Sequence, residues 1–356
     1  MAVFKTAPYL RHCSLLLISL TAIGLGGCGT GSPTISASPT EETQRLRVIT
    51  TFIPVTNFTK AVVGDRAEVT QLLPTNVGPH DYQAKPEDVQ KLARGNVLVK
   101  NGLGMEEFLE DLLKNAGNAN LKVIDSSKDI QPIANEEKHE HHDHDHEKTS
   151  ESGHNHGAFN PHIYLDPKRA IKQVENIRDG LIAADPEGKT IYNTNATAYI
   201  EKLKQLDGEI AQQLQPFAGK TFVTYHDFAP YFAQSYNLKA EFLVDIPEEN
   251  ASPEDVKRVI NATQQSNLKT LLTEPQAVGS PFAALAKDLK VKVSTFDPLE
   301  TSNGEALQPD YYLTTMRQNL QNLESAFSGH TQQSLLPIIS PRTVLMIQPQ
   351  SLRLGF

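Results

Sequence analysis

Cysteine is almost absent from this chain: only Cys13 and Cys28 occur among its 356 residues. Cys13 lies within an N-terminal segment that resembles a removable export signal, so the mature protein would retain one cysteine and form no disulfide within the chain. A thiolate metal site is excluded for the same reason. Any metal ion bound by the mature chain must be held by histidine and carboxylate side chains.

Runs of lysine and arginine are also missing, and the formal net charge is -9. Nucleic acid binding depends on clustered cations that neutralise phosphates, so this composition argues against a nucleic acid partner. Hydrophobic residues make up 39% and charged residues 21% of the chain, which is typical of a soluble globular protein. The length is sufficient for two domains with their own cores.

The N-terminus has the pattern of a signal peptide covering residues 1–27. Lys5 and Arg11 precede a short apolar segment, residues 14–26, which is too short to span a bilayer as a mature helix. This segment ends in Leu-Gly-Gly-Cys, which resembles a bacterial lipobox and predicts lipidation of Cys28. An ordinary secretory signal with an incidental cysteine is the alternative. Residues 28–45, rich in Gly, Ser, Thr and Pro, would form a flexible tether to the membrane on the extracytoplasmic side, in the periplasm or on the outer face of the cell membrane.

Strand-like and helical patterns alternate along the rest of the chain, which predicts an α/β fold with mainly parallel sheets. One lobe would cover residues 46–189 and a second lobe residues 218–327. Between them, residues 190–217 carry a long amphipathic pattern, predicted to be a rigid helix that joins the lobes. Residues 328–356 show no clear periodicity, and we assign them no role.

Residues 135–157 interrupt the globular composition with a histidine-rich and acidic segment. With almost no apolar residues, this segment is expected to be a loop outside the core. It is either a weak collector or sensor of metal ions, or a solvated insertion that binds metal only because imidazoles are concentrated there. Its seven histidines are His139, His141, His142, His144, His146, His154 and His156.

Four residues outside this segment are candidate metal ligands: His80, His162, His226 and Asp297. Three of them follow predicted strands, and open parallel sheets bind ligands beyond the carboxyl ends of their strands. Three imidazoles and a carboxylate suit Zn²⁺. Each residue taken singly also fits a hydrogen-bonded surface or turn position, and spacing alone does not show that they converge.

Several longer motifs resemble a known family. Residues 72–113 (LLPTNVGPHDYQAKPEDVQKLARGNVLVKNGLGMEEFLEDLL), with NPHIYLDP, YHDFAPYF and FDPLET in the same order, are similar to the zinc- and manganese-uptake solute-binding lipoproteins of ABC importers. The resemblance implies two lobes on a helical backbone with metal in the cleft between them. It also implies the ligands His80, His162, His226 and Asp297, and an ABC permease as partner. Manganese-type members carry a carboxylate where this chain has His226.

These observations predict a receptor, expected to be monomeric, that captures Zn²⁺ outside the cytoplasm and delivers it to an import permease without catalysing a reaction. A manganese receptor of the same family is one alternative. A hydrolase that uses the three histidines to hold zinc, with Asp227 or Glu274 as base, is another. No HExxH or comparable motif places either base.

Overall fold

The first lobe is built on a four-stranded parallel sheet in the order β2-β1-β3-β4. Our computed structural model describes residues 45–80, 82–135, 158–244, 251–277, 281–302 and 304–329. In the central strand β3 the first three residues are all buried, as expected for a parallel strand covered on both faces. The strands are β1 (Leu46–Thr50), β2 (Ala67–Gln71), β3 (Val97–Lys100) and β4 (Lys122–Asp125).

Helices connect and cover these strands: α1 (Ile53–Val63), α2 (Pro86–Arg94), α3 (Leu109–Ala116) and α4 (Pro167–Ala184). The sequence patterns predict helices over residues 55–63, 86–93 and 105–115, close to the first three helices, but predict none at α4. Its start signal is nevertheless present, because the Asp166 side chain caps the helix by accepting a hydrogen bond from the Lys168 backbone N–H, with Pro167 at the first position.

The second lobe repeats the arrangement with a parallel sheet in the order β6-β5-β7-β8. Its helices begin at or near prolines in three cases, where the missing N–H is not needed. Its elements are β5 (Thr221–His226), α6 (Pro230–Ser235), β6 (Lys239–Val244), α7 (Pro253–Gln265), β7 (Thr270–Thr273), α8 (Pro281–Asp288), β8 (Lys292–Thr295) and α9 (Tyr311–Ser328).

A 26-residue helix, α5 (Lys189–Leu214), joins the two lobes and confirms the predicted linking helix. It packs against α1 and α4 of the first lobe and α9 of the second. Tyr192, Leu203, Leu206 and Ile210 are fully buried on this helix, and they belong to one hydrophobic cluster with residues of both lobes. Burial of a continuous apolar stripe against both lobes explains how α5 holds them together.

Hydrogen bonds also link the lobes directly. The Tyr312 hydroxyl of α9 donates to the Tyr164 carbonyl at 2.7 Å, and the Asn57 amide of α1 donates to the Ala306 and Gln308 carbonyls at 2.7 and 2.9 Å. Each helix among the described residues is too short or too polar to span a lipid bilayer.

Candidate metal site between the lobes

The three predicted histidine ligands come together at the boundary between the lobes. His80 lies in the connection from β2 to α2, and His162 directly precedes a 3-10 turn (Ile163–Leu165) that leads into α4. His226 is the last residue of β5, and Glu300 lies in the segment that follows β8. The first lobe therefore supplies two imidazoles, and the second supplies one imidazole and one carboxylate.

One ligand atom from each of these four residues lies within 4.8 Å of those of the others. His162 Nε2 is 3.3 Å from His80 Nε2 and 3.4 Å from His226 Nε2. Glu300 Oε1 is 3.0 Å from Nε2 of His162, 3.3 Å from that of His80 and 3.5 Å from that of His226. Four ligands about 2.0 Å from a tetrahedral zinc ion lie about 3.3 Å from one another, so these separations match such a site.

Partners outside the group fix the orientation of two imidazoles. His162 Nδ1 lies 3.0 Å from the side-chain oxygen of Asn160, and His226 Nδ1 contacts the carboxylate of Glu274. Both partners are acceptors, so each Nδ1 carries the hydrogen and donates it. Nε2 of each ring then faces the centre of the group and is the nitrogen left to bind a metal ion.

Asn160 also connects the two lobes at the site. Its side-chain amide nitrogen donates to the backbone carbonyl oxygen of Asp227, the residue that follows His226, at 2.7 Å. The backbone carbonyl of Asn160 accepts a hydrogen bond from the Tyr231 hydroxyl at 2.6 Å. A single side chain thus orients His162 of the first lobe and holds the chain beside His226 of the second.

Burial and charge shift the acidities of the site in opposite directions. Burial lowers the pKa of His162 to about 3. Burial also opposes the charged form of His226, but the carboxylates of Glu274 and Glu300 raise its pKa well above 6.5. Although burial favours the neutral acid, His80 and His226 hold the pKa of Glu300 well below its usual value. Glu300 is therefore ionised, and it is 3% exposed.

Asp297, the fourth ligand predicted from the sequence, lies outside this group of converging atoms. Its Oδ1 instead accepts a hydrogen bond from the backbone N–H of Leu299 at 2.7 Å, and burial raises its pKa to about 6. Leu299 has a φ of 62°, in the left-handed region, so the chain turns sharply after Asp297. This turn directs Glu300 toward the histidines in the place where Asp297 was expected.

Sequence reasoning missed Glu300 because both the position directly after the strand and the family resemblance indicated Asp297. Glu300 is part of the same FDPLET motif, three residues beyond Asp297. The seven histidines of the His-rich segment and Cys28 lie outside the described residues. At the base of that segment, Ala134 pairs with Phe159 in an antiparallel bridge.

Chemically, the group offers three nitrogen donors and one ionised oxygen donor, buried and preoriented. Borderline divalent ions with a preference for imidazole, zinc above all, suit this set, whereas Mg²⁺, Ca²⁺ and Mn²⁺ favour oxygen. Four donors complete a tetrahedron and leave no position for an activated water, which a catalytic zinc needs.

Comparisons with known proteins agree with this chemistry. Residues 48–326 match a family described as "ZnuA: Zinc-uptake complex component A periplasmic". The zinc-binding protein AdcA of Streptococcus pyogenes is 33% identical over 291 residues, which cover 78% of this chain and 55% of that protein. The high-affinity zinc uptake system protein ZnuA of Bacillus subtilis is 30% identical over 319 residues, which cover 89% of this chain and 98% of that protein.

A solved structure gives the same result at the level of the fold. The crystal structure of Zn(II)-bound AdcA from Streptococcus pneumoniae superposes with a TM-score of 0.63 at 30% identity. The match covers 79% of this chain and 57% of that one. This chain thus spans about half the length of the streptococcal relatives that it matches, and nearly the whole length of the Bacillus relative.

Proposed function

Because this chain belongs to the ZnuA family of periplasmic zinc-uptake components, we propose that it captures Zn²⁺ outside the cytoplasm and delivers it to an ABC-type import permease. The observation that carries the proposal is the convergence of three imidazole nitrogens and the Glu300 oxygen within 4.8 Å of one another. The proposed ligands are His80, His162, His226 and Glu300.

The donor set favours zinc over manganese. A manganese receptor is expected to offer more oxygen ligands, and the resemblance noted in the sequence places a carboxylate at the third position of such receptors. This chain has His226 there, and the ring is fully buried with its Nε2 directed into the group.

Transport is favoured over hydrolysis for two reasons. The family is one of zinc-uptake components, in agreement with the prediction that the chain is not an enzyme. In addition, Glu274, one of the two bases considered for a hydrolase, contacts His226 Nδ1 on the side of the ring away from the converging atoms. A base in that position does not reach a water bound at the centre of the site.

A metal titration tests the proposal. Purified metal-free protein should bind one Zn²⁺ tightly, in preference to Mn²⁺, and His226→Ala should weaken this binding severely because only three ligands remain. His226→Glu should shift the preference toward Mn²⁺ by adding an oxygen ligand. Equal zinc affinity of the parent and His226→Ala would contradict the assignment.

Attachment through an acylated Cys28 is part of the same proposal, supported by the lipobox-like sequence that ends at this residue. More than one acyl chain is needed for stable anchoring. Cys28→Ser should move the protein from the detergent phase to the aqueous phase after cell lysis, and unchanged partitioning would rule out the anchor.

The His-rich segment is proposed as an accessory collector of zinc, distinct from the converging ligands. Deletion of residues 138–156 should remove weak zinc equivalents and leave the tight one. Loss of the tight equivalent would show that the segment supplies a primary ligand. We expect the receptor to act as a monomer, since each chain provides all four proposed ligands.

A further inference from the structure

Glu274 is a fully buried carboxylate that the proposed ligand set does not use. It directly follows β7 and lies beside the end of β5, where its Oε1 contacts Nδ1 of His226 and lies 3.4 Å from the backbone nitrogen of the same residue. A buried carboxylate is costly unless it is paired or hydrogen-bonded. The contacts of Glu274 should therefore explain why a carboxyl group is buried at this position.

The other oxygen of Glu274 leads back to the site by a second route. Oε2 accepts a hydrogen bond from the side-chain amide nitrogen of Gln276 at 2.6 Å. The side-chain oxygen of Gln276 in turn accepts one from the Thr301 hydroxyl at 3.2 Å. Thr301 directly follows Glu300 in the sequence. A chain of hydrogen bonds thus joins His226 to the segment that carries Glu300.

Two of the three histidines are fully buried, His162 in the first lobe and His226 in the second, and the partners of their Nδ1 atoms differ. His162 donates to the amide oxygen of Asn160, whereas His226 donates to the carboxyl group of Glu274. The His226 ring is consequently placed between two carboxylates, with Glu274 at Nδ1 and Glu300 3.5 Å from Nε2.

We propose that Glu274 is a positioning residue for the bound Zn²⁺. It fixes the Nδ1–H form and the angle of the His226 ring and, through Gln276 and Thr301, ties that ring to the Glu300 segment. The second lobe then presents its two ligands as a preformed pair. A carboxylate partner also makes an imidazole a stronger donor to a metal than an amide partner does. This inference rests on the proposed zinc-binding function.

A purely structural role for Glu274 is the competing explanation, and Glu106 provides a matched control. Glu106 is a buried carboxylate of the first lobe that accepts hydrogen bonds from Thr51 and from the backbone nitrogens of Asn101 and Gly102. Glu106→Gln replaces a buried carboxyl group by an amide as Glu274→Gln does, but in the described part of the chain Glu106 contacts none of the four proposed ligands and neither Asn160 nor Glu274.

The test compares zinc affinity, measured against a chromophoric chelator, in the parent, Glu274→Gln, Glu274→Ala, Gln276→Ala and Glu106→Gln. Loss of an outer partner of a metal ligand costs about 10- to 100-fold in affinity. We expect a loss of about 10-fold for Glu274→Gln, which keeps an acceptor for Nδ1–H, and of about 100-fold for Glu274→Ala. Gln276→Ala, at an exposed position, should show a smaller loss, and Glu106→Gln none.

A nitrogen-15 NMR spectrum of the histidine rings in the metal-free protein gives a second readout. The His226 ring should show a slowly exchanging Nδ1–H signal in the parent and in Glu274→Gln, and this signal should weaken or disappear in Glu274→Ala. Glu274→Gln decides the affinity test if Glu274→Ala fails to fold. Parent-like affinity in Glu274→Gln, or an equal loss in Glu106→Gln, would overturn the inference.

Failure of the proposed function would give a different result. A parent protein that takes up no zinc would refute the receptor assignment. The NMR comparison would still decide whether Glu274 fixes the His226 ring: unchanged His226 signals in Glu274→Ala would refute the positioning role.

Discussion

At the residue scale, the structure and the sequence-based prediction differ in the fourth residue that is proposed to bind zinc, Glu300 in place of Asp297. Glu300→Gln removes the ionised oxygen that lies within 3.5 Å of three imidazole nitrogens. We expect its zinc affinity to fall by more than the roughly 100-fold cost of losing an outer partner. Asp297→Asn should cost less than about 10-fold, because its Oδ1 is already used by the Leu299 N–H.

The measurement is a chelator competition with both variants in parallel. A larger loss for Asp297→Asn than for Glu300→Gln would restore Asp297 as the ligand. Thermal unfolding of the metal-free variants serves as the control, since a general loss of stability would affect both the metal-free and metal-bound forms.

The acidity of His226 predicts how zinc binding depends on pH. The raised pKa means that this ring holds an extra proton in the metal-free protein near neutral pH, located on the Nε2 that faces Glu300. Zinc must displace that proton, so affinity should fall as pH falls and rise until the pH exceeds the pKa of His226. His162, with a pKa of about 3, stays neutral and adds no dependence in this range.

Calorimetric titrations in buffers of different ionisation enthalpy would measure this proton release. About one proton per zinc is expected at pH 7. Binding without proton release, together with an affinity that is constant between about pH 6 and pH 8, would contradict the prediction.

At the scale of single elements, replacing two helical glycines by alanine should have opposite effects on stability. Apart from its chain neighbours and the backbone of its own helix, no described atom lies within 4 Å of a Cβ added at Gly208 on α5, whereas a Cβ at Gly180 on α4 would lie 2.7 Å from Ile124 side-chain atoms. Gly208→Ala should stabilise the fold by about 0.5–1 kcal/mol by reducing the entropy of the unfolded chain. Gly180→Ala should destabilise it by about 1–3 kcal/mol through overpacking.

Urea unfolding of the two variants beside the parent would measure both effects. The pair acts as its own control, because helix propensity alone predicts the same sign at both positions. Stabilisation by Gly180→Ala would show that α4 shifts easily over β4 at Ile124.

At the scale of the whole molecule, the linking helix and the contacts between lobes predict little domain motion. α5 is uninterrupted from Lys189 to Leu214 and packs along both lobes, and a helix of this kind bends only slightly without proline or an insertion in its hydrogen bonds. The Tyr312 bond to Tyr164 and the Asn57 bonds to the 306–308 segment restrain the same boundary. Zinc release should therefore depend on the loops that carry His80 and Glu300.

Small-angle X-ray scattering of the metal-free and zinc-bound protein would measure the extent of domain motion. The radius of gyration should be the same in both states within error. A clear contraction on adding zinc, of the kind that closure of a wide hinge produces, would be incompatible with a rigid linking helix.

The sequence by itself determined the class of the fold, the linking helix and three of the four converging residues. Alternating strand and helix patterns are local, and prolines at helix starts mark boundaries that neighbours in the chain already define. His80, His162 and His226 were found because each lies in a distinctive motif, and their convergence was then implied by the family resemblance. Helix α4 was missed although Asp166 and Pro167 marked its start.

Only the tertiary structure decided the rest of the site. Whether Asp297 or Glu300 faces the histidines depends on one backbone turn at Leu299, which no periodicity in the sequence records. The partners of the imidazoles, Asn160 and Glu274, are set by how the ends of separate elements meet. Glu274 is 48 residues from His226 in the chain, so their contact exists only because β5 and β7 are neighbours in the sheet.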